Sequence, residues 1–292
     1  MNRLVRLSRT FFYSAIAPAF LILLALVIYP TYKVLTYSLM EYKLTKPNAS
    51  SFVWFHQYAE AFADERFRWA LGRSLYFALL SVLLTLVIGY AIAELLRRDD
   101  LKGMCFFRSV ILVPMLITPL VVGAVFRYMY DYDYGVVNDI IRRIGLQKIP
   151  FLGDPFWALH AAVLADVWQW TPFAAIVLLA GLEAMPREPL EAAALDGAGF
   201  WQTLWSIKMP LLRPVIGVTV LLRFMDAFRE FDKLYILTAG GPGTSSETLS
   251  IYVWRQAFQY FNTGYGAAMG VVMLFVINIL STFYVKLSKT LQ

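Results

Sequence analysis

Long apolar runs alternate with shorter polar stretches along the chain. Six of these runs have about the 20 mostly apolar residues that an α-helix needs to cross the hydrocarbon core of a bilayer. They occupy residues 11–32, 74–96, 109–130, 157–182, 211–237 and 264–285. The pattern therefore predicts an all-α membrane protein with six transmembrane helices.

The composition agrees with a lipid bilayer as the environment of the chain. Hydrophobic residues make up 59% of the sequence and charged residues 16%, whereas about 25% of residues in soluble domains are charged. The single Cys105 excludes an intrachain disulfide framework, and neither His56 nor His160 lies in a cluster of metal ligands. The net charge of +6 comes from scattered bases, some beside apolar runs, so we expect no nucleic-acid partner and no metal.

Basic residues set the predicted orientation, because cytoplasmic loops are enriched in Lys and Arg. The segment 1–10 contains three arginines ahead of a run that is too long for a cleaved signal, so it is predicted to be a cytoplasmic N-terminal segment. Residues 11–73 then form the first transmembrane helix and an external loop, and residues 74–290 form a core of five helices. Further bases mark predicted cytoplasmic ends, so both termini are expected in the cytoplasm: Arg97, Arg98, Lys102, Arg108, Lys286 and Lys289.

The fourth apolar run contains polar and aromatic residues in the segment ADVWQWTPF. Aromatic faces stack on the C–H surfaces of sugars, and carboxylates and amides bind their hydroxyls. Asp166, Trp168, Gln169 and Trp170 are therefore candidates for a substrate path. The alternative is that the tryptophans belong to an aromatic belt at the membrane interface.

The fifth run is rich in charge. Arg223, Asp226 and Arg229 recur every three residues, followed by Glu230 and Lys233, so opposite charges are neighbours on a helix and can pair. Charges at membrane depth are costly unless they pair or face a wet cavity. Two roles remain open, an ion-pair latch between helices, which we favour, or contact with substrate. Asn278 in the last run either bonds a neighbouring helix or lines a cavity.

Residues 186–210, between the fourth and fifth runs, are amphipathic, and we call this segment the hairpin. Alanines favour a helix in its first arm, while Glu191 and Asp196 keep it out of the bilayer core. Gly197 and Gly199 allow a turn before a second short helix, 200–208, which Pro210 is expected to end. The pattern predicts a helix-turn-helix on the cytoplasmic membrane surface.

Two stretches resemble a known family. The spacing E-A-A-x3-G-x9-I-x2-P, from Glu191 to Pro210, is similar to the EAA loop of ABC importer permeases, the membrane subunits of binding-protein-dependent uptake systems. The stretch FDKLYILTAGGPGTSSETLSIYVWRQAF, 231–258, resembles the signature of their carbohydrate class, the maltose-type family. Gly240, Gly241 and Pro242 lie in its turn, which we expect at the external end of the fifth helix.

The resemblance implies a type I ABC importer permease bundle with a cytoplasmic coupling helix. It implies that Glu191 meets a basic residue in a cleft of the ATPase, that Ala192 and Ala193 allow close approach, and that Gly197 sets the elbow. Asp196, Ile207 and Pro210 complete the predicted coupling loop.

The same resemblance implies the partners. These are a dimer of cytoplasmic ABC ATPases, a second permease subunit that is expected to be a paralogue, and a periplasmic or extracellular solute-binding protein. The substrate is expected to be a carbohydrate or sugar derivative, moved by alternating access across the bacterial inner (plasma) membrane. No stretch matches the P-loop pattern, so we expect no cofactor on this chain, with ATP and Mg bound by the ATPase.

Two other classes of function are alternatives. An ion-coupled secondary transporter would use Asp166 or Asp226 to carry a proton or sodium ion, but its inverted repeats and unwound helices are not evident. A membrane-embedded enzyme would need a nucleophile with a base, or a metal cluster, and neither pattern is legible. We therefore expect a transport subunit rather than an enzyme.

Overall fold

The computed structural model describes residues 9–97 and 103–290. Most of the predicted cytoplasmic segment 1–10 lies outside the described residues, as do Arg98 and Lys102 of the predicted basic turn. The fold is almost entirely helical, as the apolar pattern predicts, with one short antiparallel pair of strands in which Met40 is paired with Phe52.

The elements follow one another in a single sequence of helices interrupted by that strand pair. In chain order they are α1 Arg9–Ser38, β1 Met40–Glu41, a 3₁₀ turn Pro47–Ala49, β2 Ser51–Phe52, α2 His56–Ala63, α3 Glu65–Leu96, α4 Met104–Val110, α5 Val113–Leu116, α6 Pro119–Met129, α7 Val136–Arg143, α8 Pro155–Glu183, α9 Glu188–Leu195, α10 Phe200–Thr203, a π-helix Leu204–Lys208, α11 Met209–Phe228, α12 Asp232–Thr238, α13 Leu249–Trp254, a π-helix Arg255–Gln259 and α14 Thr263–Thr290.

The chain divides into two compact units. Of the described residues, one unit takes those within Met1–Asp64 and Val253–Leu274, and the other takes those within Glu65–Tyr252 and Phe275–Gln292. In the first unit, the start of α14 packs closely on β1 and the residue that follows it. The N–H of Gly264 donates to the carbonyl of Tyr42 at 2.9 Å, and a side chain at Gly264 would collide with the backbone of Met40 and Tyr42.

The second unit is built around α3 and α8, which pack along each other, with α11 packed on both. A cluster of buried apolar side chains joins one end of the three helices. Its members are Ala93, Leu96, Leu178, Leu179, Leu182, Met185 and Leu212. Burial of such side chains contributes roughly 1.5–3 kcal/mol each, so this cluster fixes α3, α8 and α11 relative to one another.

The predicted count of six continuous spans is not confirmed in the described residues. Four helices are long and apolar enough to cross a membrane: Tyr13–Ser38, Glu65–Leu96, Pro155–Glu183 and Thr263–Lys286. A bent pair, Phe106–Leu116 with Pro119–Met129, would make a fifth. The remaining predicted span, α11, is about 30 Å long by its 20 residues, but it carries Arg213, Arg223 and Asp226.

The third predicted span, 109–130, for which the sequence predicts bends at Pro114 and Pro119, is broken into two helical halves. Its two halves meet at 92°, because Ile117 and Thr118 have extended backbone conformations between α5 and α6. Thr118 precedes Pro119, and the residue before a proline is pushed out of the helical region. Pro119 itself fits the first turn of α6, where a missing N–H costs nothing.

The fifth predicted span, 211–237, is also wrong as one helix. α11 ends at Phe228 and α12 begins at Asp232. In a continuous helix Arg223 and Lys233 would be separated by about 15 Å along the axis. Here both contact Asp166 of α8, and the break lets them do so.

Three other boundaries differ from the sequence-based expectation. The external loop predicted at 33–73 is shorter, because α1 continues to Ser38 and α3 already starts at Glu65. The added first turn of α3 is anchored by Arg66, whose Nε and Nη2 donate to the buried carboxylate of Glu247 at 2.7 and 2.8 Å. The sequence also predicts a helix over 246–259 along the outer surface, and this helix begins at Leu249.

Candidate functional site

The first arm of the hairpin ends in a Schellman motif. The N–H of Ala198 donates to the carbonyl of Ala193 at 2.9 Å, and the N–H of Gly197 donates to that of Ala194 at 3.3 Å. This motif requires a left-handed residue just after the helix, and Gly197 has φ +72°. The predicted turn at Gly197 is therefore present, with a specific backbone geometry.

The second arm of the hairpin is not ended by Pro210, as the sequence had suggested. Helical structure continues from α10 through the π-helix into α11, and Pro210 lies in the first turn of α11. A proline removes one backbone donor from a helix. The adjoining π-helix Leu204–Lys208 accommodates this irregularity, so the second arm and α11 form one uninterrupted helical path.

The motif residues of the hairpin are mostly exposed. Glu191, Ala192 and Asp196 are exposed, Ala193 is buried, and Ile207 and Pro210 are half-buried. The first arm also exposes 89% of the Leu195 side chain. A second group of exposed aromatic residues follows on the second arm: Phe200, Trp201 and Trp205. Grouped exposed apolar side chains mark contact surfaces.

A polar contact that the sequence reasoning missed fixes the second arm to α3. Lys208 Nζ donates to Glu94 Oε1 at 2.7 Å, and the Tyr90 hydroxyl donates to the same oxygen at 2.6 Å. We call these three residues the Lys208 tie. The sign of this contact in the sequence is the single acidic residue Glu94, which lies just before the basic residues that begin at Arg97.

A second candidate site is a cluster of buried charges, the Asp166 cluster, formed by Asp166, Arg223, Glu230 and Lys233. Arg223 Nη2 donates to Asp166 Oδ2 at 2.6 Å, and Lys233 Nζ donates to Asp166 Oδ1 at 2.7 Å. Glu230 Oε2 lies 3.6 Å from Lys233 Nζ. Because two carboxylates face two cations, the cluster is neutral, and it joins α8, α11 and α12.

Neighbouring residues of α8 extend this cluster. Asp166, Gln169 and Trp170 share one helix face by their spacing. The Arg223 guanidinium lies 4.9 Å from the centre of the Trp170 ring, within the range of a cation–π interaction. Gln169 Nε2 donates to the carbonyl of Ile117 at 2.7 Å, at the break between α5 and α6.

Some buried polar atoms around the cluster have no protein partner among the described residues: Arg223 Nε and Nη1, and Gln169 Oε1. Such atoms are costly to bury unless water or a ligand group satisfies them. The cluster therefore has unused hydrogen-bond donors on Arg223, and the adjoining Gln169 has an unused acceptor.

The structure separates several residues that the sequence had grouped together. Trp168 is 44% exposed and packs against Phe126, away from Asp166 and Gln169. Asp226 pairs with Arg229 at 2.5 Å, and the Arg229 side chain is 64% exposed, so this pair lies outside the buried cluster. Asn278 is exposed on α14.

The predicted turn at Gly240, Gly241 and Pro242 follows α12. It is held by Ser246, whose hydroxyl donates to the carbonyl of Gly241 at 2.6 Å, while the N–H of Gly240 donates to Thr238 Oγ1 at 3.1 Å. Within the described residues there is no group of three or more His, Cys, Asp or Glu side chains that could hold a metal ion.

Comparison with protein families identifies the class of the chain. A family model described as binding-protein-dependent transport system inner membrane component matches residues 85–290. The chain belongs to this family. The permease is 32% identical over 275 residues to the sulfoquinovosyl glycerol transport system permease protein of Agrobacterium fabrum, which covers 94% of this chain and 89% of that protein. It is 36% identical over 241 residues to the trehalose/maltose transport system permease protein of Thermococcus litoralis, covering 82% and 80% of the two chains.

Solved structures share the fold of the permease. A chain of a bacterial ABC transporter involved in the import of the acidic polysaccharide alginate superposes with a TM-score of 0.81, 22% identity and coverage of 96% and 95%. A chain of the alginate transporter in complex with a pentasaccharide-bound periplasmic protein gives a TM-score of 0.79, at 22% identity and coverage of 94% and 92%. The resemblance to ABC importer permeases and the predicted all-α membrane fold are therefore confirmed.

Proposed function

We propose that this permease imports a carbohydrate or sugar derivative into a bacterial cell as one of two permease subunits. A dimer of cytoplasmic ATPases binds the hairpin, with ATP and Mg on the ATPases, and an external solute-binding protein delivers the substrate. The chain lies in the inner membrane with both termini in the cytoplasm. The names of the two sequence relatives, which transport sulfoquinovosyl glycerol and trehalose or maltose, support the substrate class.

The observation that carries the proposal is the exposed hairpin joined to a continuous helical path. Glu191 and Ala192 are exposed on α9, where the ATPase would contact them. The second arm runs through the π-helix into α11, which carries Arg223 of the Asp166 cluster. Movement of the hairpin on ATPase closure would therefore reach the buried charges through α11.

The Asp166 cluster is the latch in this mechanism. It connects three helices through two short ion pairs, and a change in these pairs would accompany the switch between inward-facing and outward-facing states. Trp170, beside the cluster, and Gln169 remain candidates for contact with sugar, since they offer an aromatic face and an unused amide oxygen. The weaker candidates are the exposed Trp168, Arg229 and Asn278 and the half-buried Asp226.

Uptake into vesicles tests this function. The ligand of the cognate binding protein is first identified by calorimetry against mono- and disaccharides, sugar alcohols and acidic sugar derivatives. The complete complex is then reconstituted, and labelled ligand is supplied with the binding protein and ATP. We expect uptake only when both are present. Uptake by this chain alone, driven by a proton or sodium gradient, would instead identify an ion-coupled transporter.

A further inference from the structure

We propose that Lys208 and Glu94 are positioning residues that make the hairpin and α3 move as one body. This inference rests on the proposed function, because it concerns how a force on the hairpin reaches the core. Its basis is the Lys208 tie, in which one carboxylate oxygen of Glu94 accepts hydrogen bonds from both Lys208 and Tyr90.

The hairpin needs such a contact because it lies beside a soft section of helix. A π-helix lacks the regular i to i−4 hydrogen bonds and is a common place for a helix to bend. The π-helix Leu204–Lys208 lies between the elbow at Gly197 and the membrane-crossing part of α11. A fixed point at Lys208, the last residue of this section, would keep a bend from spreading into α11 and would pass the force on to α3.

Apolar packing between the second arm and α3 is incomplete. A cavity of about 760 Å³ lies between α3 and the second arm, with Val87 of α3 on one side and Trp205 and Met209 on the other. Glu94 and Tyr90 also line this cavity. The ion pair therefore joins the two elements where their side chains leave a gap.

The environment of the pair favours a defined geometry. The side chains of Lys208 and Glu94 are only 13% and 22% exposed, so water screens their attraction less than it would at an open surface. Lys208 is the last residue of the π-helix and is followed directly by α11. On the other side, α3 packs along α8, which carries Asp166. The tie thus connects the hairpin to α3 and, through the packing of α3, to α8.

The test compares charge removal with charge exchange in the complete reconstituted complex. We expect Lys208→Met and Glu94→Gln each to lower the number of substrate molecules taken up per ATP hydrolysed by about two- to fivefold, the range set by the coupling energies of single ion pairs. The exchanged variant Lys208→Glu with Glu94→Lys restores the pair and should recover most of the ratio. Wild-type ratios in both single variants would overturn the assignment.

A matched control is Glu183→Gln. It removes the ion pair between Arg108 and Glu183, with Nη2 and Oε1 2.9 Å apart, which joins α4 to α8 and includes no residue of the hairpin. We expect its uptake ratio to equal that of the wild type. An equal fall of the uptake ratio in Glu183→Gln would show that the loss of another ion pair lowers coupling just as much. That result would overturn the specific role of Lys208.

A distance measurement separates failure of this inference from failure of the proposed function. Spin labels at Leu195 and Leu83, in a background where Cys105 is replaced by Ser, report the separation of the hairpin from α3. We expect the same narrow distribution with and without ATP in the wild-type pair and a broadened one in Lys208→Met. If Lys208→Met stays narrow while ATP still drives uptake, the tie is wrong and the proposed function stands. If ATP does not drive wild-type uptake, both fail.

Discussion

At the scale of single residues, Asp166 has the most demanding environment in the described chain. It is fully buried and accepts hydrogen bonds from Arg223 and Lys233, which are themselves buried. Burying charges costs several kcal/mol per ion unless partners and hydrogen bonds compensate. Removing one partner therefore lowers the stability of a folded protein more than replacing the whole cluster by well-packed apolar residues would.

Replacing Asp166 with Asn should destabilise the permease by about 3–5 kcal/mol, the cost of leaving buried cations without their carboxylate. Thermal unfolding of the purified complex measures this as a lower midpoint. The control is Asp226→Asn, because Asp226 pairs with an Arg229 side chain that is 64% exposed, and such pairs contribute less than about 1 kcal/mol. Equal losses from the two substitutions would contradict the compensated burial of Asp166.

The sequence indicated which residues carry charge at membrane depth but not how they pair. The spacing of Arg223, Asp226 and Arg229 predicted pairs along one helix, and Asp226 with Arg229 forms one of them. Arg223 instead reaches Asp166, 57 residues earlier in the chain. Spacing reports only neighbours on the same helix, so pairs between helices cannot be obtained from one sequence.

At the scale of elements, breaks in helices account for most of the differences from the predicted spans. Hydropathy indicates that a run is apolar but not whether it stays straight. In the third span, Pro119 is visible in the sequence, but the 92° angle is not, nor is the hydrogen bond from Gln169 to the carbonyl of Ile117 at the break, 52 residues away in the chain. In the fifth span, the break serves a long-range contact to Asp166. The hairpin was predicted better, because its turn depends on one local residue.

The hairpin turn provides a test with a closely matched control. Gly197 has φ +72° and Gly199 has φ −71°, and a Cβ atom added to either residue would have no other atom within 4 Å. A side chain at either position therefore meets no obstacle, and only Gly197→Val strains the backbone, by roughly 1–2 kcal/mol. We expect Gly197→Val to reduce uptake per ATP by about tenfold, while Gly199→Val stays near the wild type.

Gly199→Val should retain the wild-type unfolding temperature, and the backbone strain in Gly197→Val should lower it by only a few degrees, because the turn is exposed and outside the apolar core. The measurement is the ratio of ligand uptake to phosphate release in proteoliposomes. Normal coupling in Gly197→Val would show that the left-handed turn is not needed for the hairpin to transmit force. Equal losses in both variants would point to surface contacts at the turn instead of its backbone geometry.

At the scale of the whole molecule, the family and the membrane class were accessible from the sequence because they depend on motif spacing and average hydropathy. The family match over residues 85–290 includes the hairpin and the charged fifth span. The two-residue strands, and the places where the third and fifth predicted spans break into separate helices, depend on contacts within each unit. No local sequence pattern encodes them. Function at the level of a permease was therefore predictable, while the arrangement of its buried polar groups was not.

The last prediction concerns the second permease. Two identical subunits related by a twofold axis present the same contacts twice, but most sugars have no twofold axis. Two different subunits can present different contacts to the two ends of a sugar, so we expect a paralogue to complete the complex.

When two differently tagged copies of this chain are expressed with the ATPase and the paralogue, one tag should not purify the other. Two tagged ATPase copies serve as the positive control, since a dimer should co-purify. Recovery of both permease tags in one complex with transport activity would instead identify a homodimeric pathway, in which Trp170 and Gln169 of both copies would face the same substrate.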